Sequence, residues 1–236
     1  YPWSPEYPPN RTQVLSLRCP SDPSVSLPIP IDSLARTNYA FCTGDSQIGS
    51  NLESMDVDVT RGAFQRGMFF TLAAITDGMA NTLMFGEIGT PEFSVGSQSG
   101  PEELIEASVL GNSVTGLEHG PDHKGINVSM CRIKARGGRY VGEQSVWSNL
   151  GMRPWDAVVC YTGFNTINAP NGGSCSPDNI ANGEGDGIYT AGSYHAGGAH
   201  VVTFDCSVKF ISDGISTIDM REVGDDGRVL GAADYY

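Results

Sequence analysis

The sequence predicts an α+β fold, mainly antiparallel β with long loops, built as a single domain over residues 1–236. Three observations carry that expectation. The 30 glycines and 14 prolines punctuate the chain too often for a helical bundle. Apolar residues recur mostly with period two, in short runs bounded by Gly, Pro, Asn or Asp, as half-buried strands do. Charged residues make up 17% of the chain, against roughly 25% in an ordinary domain. No linker or shift in composition divides the sequence, and this length supports one sizeable core.

In chain order, residues 1–30 carry Pro at 2, 5, 8, 9, 20, 23, 28 and 30; this segment is extended, with a strand over Gln13 to Cys19 before the "CPSDP" turn. "TNYAFCTG" gives a second strand, closed by Gly44. A polar, acidic loop follows as far as Gly67. In "MFFTLAAITDGMANTLMFGEIG" two apolar runs flank Asp77-Gly78. "SGPEELIEASVLGN" is the best helix signal: Pro101 in the first turn, Glu102 and Glu103 at the positive end of the helix dipole, Gly111 as the stop. "GINVSMCRIKARGG" alternates as a strand until Gly137-Gly138. Residues 142–192 read mostly as loop. "HVVTFD" and "SVKFIS" form a hairpin, with Val202 and Phe204 on one face and Val208 and Phe210 matching them. "STIDMREVG" gives a short final helix.

Charge narrows the function classes. With 27 acidic residues against 14 basic, the net charge is −13, and no Lys/Arg cluster interrupts it, so the chain is not expected to bind nucleic acid. The longest nearly apolar run, Met68 to Ile75, is far too short to span a bilayer. Six cysteines (Cys19, Cys42, Cys131, Cys160, Cys175 and Cys206) include no C-x-x-C pair. An even count spread over the whole chain fits three disulfides in an oxidising compartment, with scattered buried thiols as the alternative and the pairing open.

The hairpin corner at Asp205-Cys206 raises a conflict. A two-residue hairpin turn of the favoured type needs positive φ at both central residues, and Cys is costly at the second. Either the turn is longer, or Cys206 is held by a disulfide. A catalytic reading would make His195 a base and Asp205 its orienting carboxylate, with Cys206 or Ser193 as nucleophile; no nucleophile elbow accompanies it. The competing reading is a structural His that caps a loop against the sheet.

Five segments then become recognisable together: "RCPSDP" (Arg18–Pro23), "TNYAFCTGD" (Thr37–Asp45), "ITDGMANTLMFGE" (Ile75–Glu87), "YTGFNTINAPNGGSC" (Tyr161–Cys175) and "YHAGGAHVVTFDCSVKFISDGI" (Tyr194–Ile215). In this order they resemble the prepilin-like family, related to type II secretion and type IV pilin-like proteins. That family carries a C-terminal motif of His, nine residues, then Asp-Gly; it is a domain of unknown function abundant in planctomycete-type bacteria. His195 and Asp205 match the motif's spacing, whereas Cys206 stands where the family has Gly. The resemblance implies a pilin-like globular head that lacks, in this sequence, the apolar N-terminal helix through which such proteins meet the membrane. It implies a non-enzymatic structural subunit, exported to the cell surface or exterior or the periplasmic side, whose partners are copies of itself or related pilin-like subunits.

Two cation readings stand beside it. In "CSPDNIANGEGDGIY" the oxygen donors Asp178, Asn179, Asn182, Glu184 and Asp186 crowd a Gly-rich loop. Position twelve counted from Asn182 is Ser193 rather than a bidentate Glu, so this is no EF-hand; a looser Ca²⁺ site formed by Asp178, Asn182, Glu184 and Asp186 is one reading and a plain acidic turn the other. The Ca²⁺ site would make a calcium-dependent adhesin the alternative function, ahead of a hydrolase using His195. Separately, His119 and His123 with Asp122, and His195 with His200, offer two His pairs of the kind zinc uses; Gly120-Pro121 excludes a helical i, i+4 arrangement. Trp147, Trp155, Tyr161 and Phe164 could line a sugar platform or pack internally.

Overall fold

A computed structural model of the protein describes residues 1, 4–26, 34–47, 62–65, 70–91, 102–105, 108–117, 126–177 and 186–217, with backbone alone at 102–105 and 143–144. Among them are eleven strands and three short helices: an α+β fold with mainly antiparallel pairing. The strands are β1 (Tyr39–Cys42), β2 (Leu83–Glu87), β3 (Glu102–Ile105), β4 (Ser113–Leu117), β5 (Ala135–Arg136), β6 (Arg139–Tyr140), β7 (Glu143–Trp147), β8 (Gly163–Phe164), β9 (Cys175–Pro177), β10 (Gly198–Thr203) and β11 (Val208–Ser212). The helices are α1 (Pro8–Arg11), α2 (Val128–Ile133) and α3 (Val159–Thr162). No helix of the described residues is long and apolar enough to cross a membrane.

One sheet has the order β11-β10-β2-β1-β8, antiparallel except for the β1–β8 pair. A second has the order β3-β7-β4-β9, and β5 and β6 form a small ribbon. Period two decides which way each side chain of the first sheet points. Ala40 and Cys42 face inward, against Ile88, Phe164 and Ala191. Gly86 pairs with Ala40 and Val201 on that inner face, where a Cβ would come within 2.8 Å of the Phe164 ring. The residues between them, Tyr39, Phe41, Phe85, Glu87, His200 and Val202, share the outer face.

Three segments differ from the expectation. The predicted helix at 102–105 is β3, paired with β7 from Glu102↔Val146 to Ile105↔Glu143; a helix this short is marginal by itself, and sheet pairing wins. The predicted strand at 126–134 is instead α2. Asn127 caps it, its side chain accepting from the backbone N–H of Ser129 and Met130, and burial follows a helical spacing: Val128 and Cys131 are inside while Met130 and Ile133 are exposed. The strand expected at Gln13–Cys19 contains a 3₁₀ turn at Leu15–Leu17.

The cysteine expectation is also corrected. One pair is bonded, Cys131–Cys175, inside the cluster that joins α2 to β4, β7 and β9 through Val114, Ile126, Val128, Tyr140, Val146 and Ile188. Cys19, Cys42, Cys160 and Cys206 are thiols. Burial pushes the Cys42 thiol up to about 11, against a smaller opposing hydrogen bond from Gly44, which makes it unreactive.

One end of the first sheet, beside the start of β1 and the chain after β2, is tied to the N-terminal segment by a buried carboxylate. Asp22 Oδ2 accepts from Asn38 Nδ2 (2.5 Å), Thr90 Oγ1 (2.7 Å) and Thr90 N (3.0 Å), and Oδ1 accepts from Ser24 N (2.8 Å). Arg18 donates to Ser24 Oγ at 2.7 Å and to Asn38 Oδ1 at 3.0 Å. Asn38 Oδ1 also accepts the backbone N–H of Cys19 at 2.9 Å. All these side chains except that of Gln13, which meets the Arg18 guanidinium at 3.4 Å, are buried.

Two predictions follow from this architecture. Replacing both Cys131 and Cys175 by Ala should lower the unfolding free energy by about 4 kcal/mol, the loop-closure value for a separation of 44 residues, as read by urea unfolding without reductant. Burial pushes Asp22 up, but the hydrogen bonds of Ser24, Thr90 and Asn38 together outweigh it and hold the group below its ordinary value of 3.8. A carboxyl depressed by folding contributes stability above its unfolded value and loses it as pH falls toward the folded one. Wild type should therefore lose stability as pH drops below 3.8, whereas Asp22→Asn, already weaker by roughly 2 kcal/mol at pH 7, should show a flatter acid limb in pH-dependent unfolding.

Candidate functional site

At the end of the first sheet, three segments distant in sequence bring Cys19, Glu87 and His195 together. Cys19 follows Arg18, so the Asp22–Asn38 network that holds the backbone also aims the thiol. Glu87 is the last residue of β2 and pairs with Tyr39. His195 stands on the loop before β10. That loop is pinned by Ser193, whose N–H donates to Asn171 Oδ1 (2.8 Å) and whose hydroxyl donates to Gly198 O (2.8 Å) while accepting from His195 N (3.2 Å). Tyr194 adds a bond from its hydroxyl to Thr90 O at 3.1 Å. Gly197, with φ +85°, turns the chain into the strand.

The side-chain atoms converge. His195 Nε2 lies 3.4 Å from Glu87 Oε1 and 3.7 Å from Cys19 Sγ, and the sulfur is 3.9 Å from the same oxygen. The other carboxylate oxygen, Oε2, is held by His200, through its backbone N–H at 2.7 Å and Nδ1 at 3.1 Å. The two imidazoles meet edge to face with centroids 5.0 Å apart, and His200 rests against Phe210 at the same distance. Cys19 and Glu87 are buried, while the His195 side chain retains 34% of its exposure. The Tyr39 phenol is pushed up by burial first, then by the nearby Cys19 and Glu87.

A nucleophile–base–carboxylate relay uses both nitrogens of the imidazole, one toward the nucleophile and the other toward the orienting group. Here Nε2 alone faces both sulfur and carboxylate. The arrangement is a convergent set of donors around one point, the form taken by ligands rather than by a proton relay.

Asp205 is elsewhere. It lies in the turn after β10, and the six residues of that strand span about 20 Å, so neither Asp205 nor Cys206 is brought to His195. Asp205 Oδ1 instead accepts from Thr203 Oγ1 (2.6 Å), Ser207 N (3.0 Å) and the Ser207 hydroxyl. The Ser207 hydroxyl foremost, with Thr203, draws this exposed carboxyl down to about 2. The hairpin register Val202↔Val208 matches the expectation, but Phe210 pairs with His200 and Phe204 sits in the turn. The turn is the longer one: Cys206 N donates to Thr203 O (2.8 Å) and Thr203 N to Ser207 O (3.0 Å). Phe204 and Asp205 make the bend and Cys206 takes the left-handed position at φ +66°, as in three-residue hairpin loops. No disulfide holds it.

Of the expected calcium ligands, Asp178, Asn182 and Glu184 lie outside the described residues, with Asn179; Asp186 is half-buried, two residues before the Cys175↔Ile188 bridge. His119, Asp122 and His123 also lie outside the described residues. Trp147, Tyr161 and Phe164 are buried and line no platform, while the exposed Trp155 donates its indole N–H to Pro9 O at 3.0 Å. Cys19 and Glu87 went unnoticed as partners of His195 in the sequence. The available signal was that "RCPSDP", the end of "NTLMFGE" and "YHAGG" each carry a residue type able to bind a metal.

Because Cys206 occupies a conformation that disfavours a Cβ, Cys206→Gly should stabilise the fold by about 1 kcal/mol, as an upward shift of the urea midpoint with unchanged slope.

Comparison with known proteins adds one match. No curated protein matches the chain, and no solved structure does. Residues 2–217 match the family described as "Protein of unknown function (DUF1559)". Those residues include the N-terminal network, both sheets and the hairpin, and the chain belongs to that family.

Proposed function

We propose that this chain is the globular part of an exported, pilin-like surface protein, acting as a structural subunit beside copies of itself or related subunits rather than as an enzyme. The observation that carries this reading is the outer face of the first sheet. Phe41, Phe85 and Val202 lie side by side across β1, β2 and β10, and Val208 and Phe210 extend the stripe across β11. Phe85, Val208 and Phe210 are exposed. A contiguous apolar stripe of this kind marks an interaction surface, and in a pilin-like assembly neighbouring subunits or an apolar helix encoded ahead of Tyr1 would cover it. Two further features support the reading. The Cys131–Cys175 disulfide suits an oxidising compartment. Of the polar residues in the recognisable segments, Arg18, Asp22 and Asn38 are engaged, with Thr90, in internal bonds.

The test is made on the protein in its native cell. The gene should encode an apolar helix of about 20 residues or more ahead of Tyr1, and sheared surface material should contain the protein in polymers. Val208→Asp, at the most exposed position of the stripe, should leave circular dichroism and thermal unfolding near wild type while depleting the protein from the polymer fraction about tenfold or more, a loss of at least about 1.4 kcal/mol. A monomer released without any upstream apolar helix would overturn the reading.

A further inference from the structure

We propose that Cys19 Sγ, Glu87 Oε1 and His195 Nε2 form a binding site for a thiophilic divalent transition metal, zinc foremost. The geometry carries it. Zinc bonds of about 2.3 Å to sulfur and about 2.0–2.2 Å to nitrogen and oxygen, at tetrahedral angles, place the donors about 3.5 Å (S–N), 3.4 Å (N–O) and 3.6 Å (S–O) apart. The distances here are 3.7, 3.4 and 3.9 Å. A small inward movement of the sulfur completes the set.

The chemistry of the donors selects the ion. A thiolate with an imidazole and a single carboxylate oxygen favours zinc over calcium or magnesium, which take oxygen ligands. Binding expels the thiol proton of Cys19 to solvent, so the bound sulfur is a thiolate. The surroundings fit a ligand set as well. Among the described residues Glu87 Oε1 meets only Cys19 and His195, while Oε2 is fixed by the N–H and ring of His200, the outer contact that orients a ligating carboxylate. With three protein donors and the partly exposed His195 at the rim, a fourth position opens to water, as in zinc sites of the three-ligand kind. The bound ion would fasten the N-terminal segment, the end of β2 and the loop before β10 to one another. This inference is independent of surface assembly, and its test would succeed or fail with the isolated chain whether or not polymers form.

Co²⁺ is the probe, because a cobalt–thiolate bond gives a near-ultraviolet charge-transfer band that oxygen or imidazole ligands alone do not. Titrated into the purified, metal-free protein with its disulfide intact, one equivalent of Co²⁺ should produce that band, and Zn²⁺ should displace it. Cys19→Ser should abolish it, and His195→Ala, at a partly exposed position, should weaken binding at least tenfold. His200→Ala should weaken it roughly 10–100-fold through the carboxylate. Cys206→Ser should leave the band intact, and Zn²⁺ should protect Cys19 but not Cys206 from alkylation. At a hundredfold excess over Kd, Zn²⁺ should raise Tm by roughly 5–10 °C. Circular dichroism checks that each variant is folded; should Cys19→Ser not fold, His195→Ala and the alkylation pattern decide. Absence of the band, a band that survives in folded Cys19→Ser, an affinity undiminished in His195→Ala, or binding without a thiolate signature would overturn the site.

Discussion

A carboxylate that is almost wholly removed from water holds the N-terminal segment of this protein to its sheet. Asp22 is solvated by the protein itself: Asn38, Thr90 and Ser24 supply the donors that water otherwise would. Such a group is costly when only partly satisfied and strongly orienting when fully satisfied. Because its donors come from the start of β1 and from the chain just after β2, the carboxylate fixes where Arg18 and Cys19 lie relative to both strands. The guanidinium of Arg18 is drawn down by burial and pulled back up by Asp22, whereas Asp22 owes its lowered value to the neutral donors of Ser24, Thr90 and Asn38. Arg36, buried close by, feels burial first and then the repulsion of Arg18, which leaves little latitude for a further positive charge in this region.

The two sheets are stabilised by different means. Around β4, β7 and β9 the chain relies on apolar packing and a covalent bond between α2 and β9. The β1–β2–β10 sheet has a thinner apolar core, Ala40, Cys42, Ile88, Phe164 and Ala191, and polar networks at its end supply the rest. The outer face of that sheet changes character along its strands. Phe41, Phe85, Val202 and Val208 occupy one stretch; Tyr39, Glu87 and His200 occupy the other. An apolar stripe and a cluster of donor atoms thus share one surface, since the register that aligns Phe85 with Phe41 also aligns Glu87 with Tyr39.

What the sequence disclosed followed the strength of its local signals. The strand at Tyr39–Cys42 and the hairpin around Asp205 were legible because alternation and turn residues agree there. The reversal at 102–105 and 128–133 has a single cause. Glutamates after a proline and an alternating Val-Ser-Met-Cys run are both weak local preferences, and sheet pairing with β7 in one case and an Asn cap with a buried Cys131 in the other overrode them. The disulfide could not be read from spacing, because Cys131 and Cys175 are brought together only by the path of the fold. Convergence of Cys19, Glu87 and His195 was hidden for the same reason. Each residue was visible in its own segment, and none of the segments announces the others.

That convergence also dictates the order in which the chain can fold. Cys19 and His195 are separated by 176 residues, β1 runs parallel to β8, and β2 needs β10 as its other neighbour. An N-terminal half emerging first has no edge to complete, because the strands that border it are made last. Loop closure over such spans is paid before the contacts that reward it, so formation of this sheet is slow and late. During synthesis, β1 and β2 therefore gain their neighbours β8 and β10 only when most of the chain is present. Folding of this sheet after most of the chain has been made fits the topology better than piecewise folding from the N-terminus.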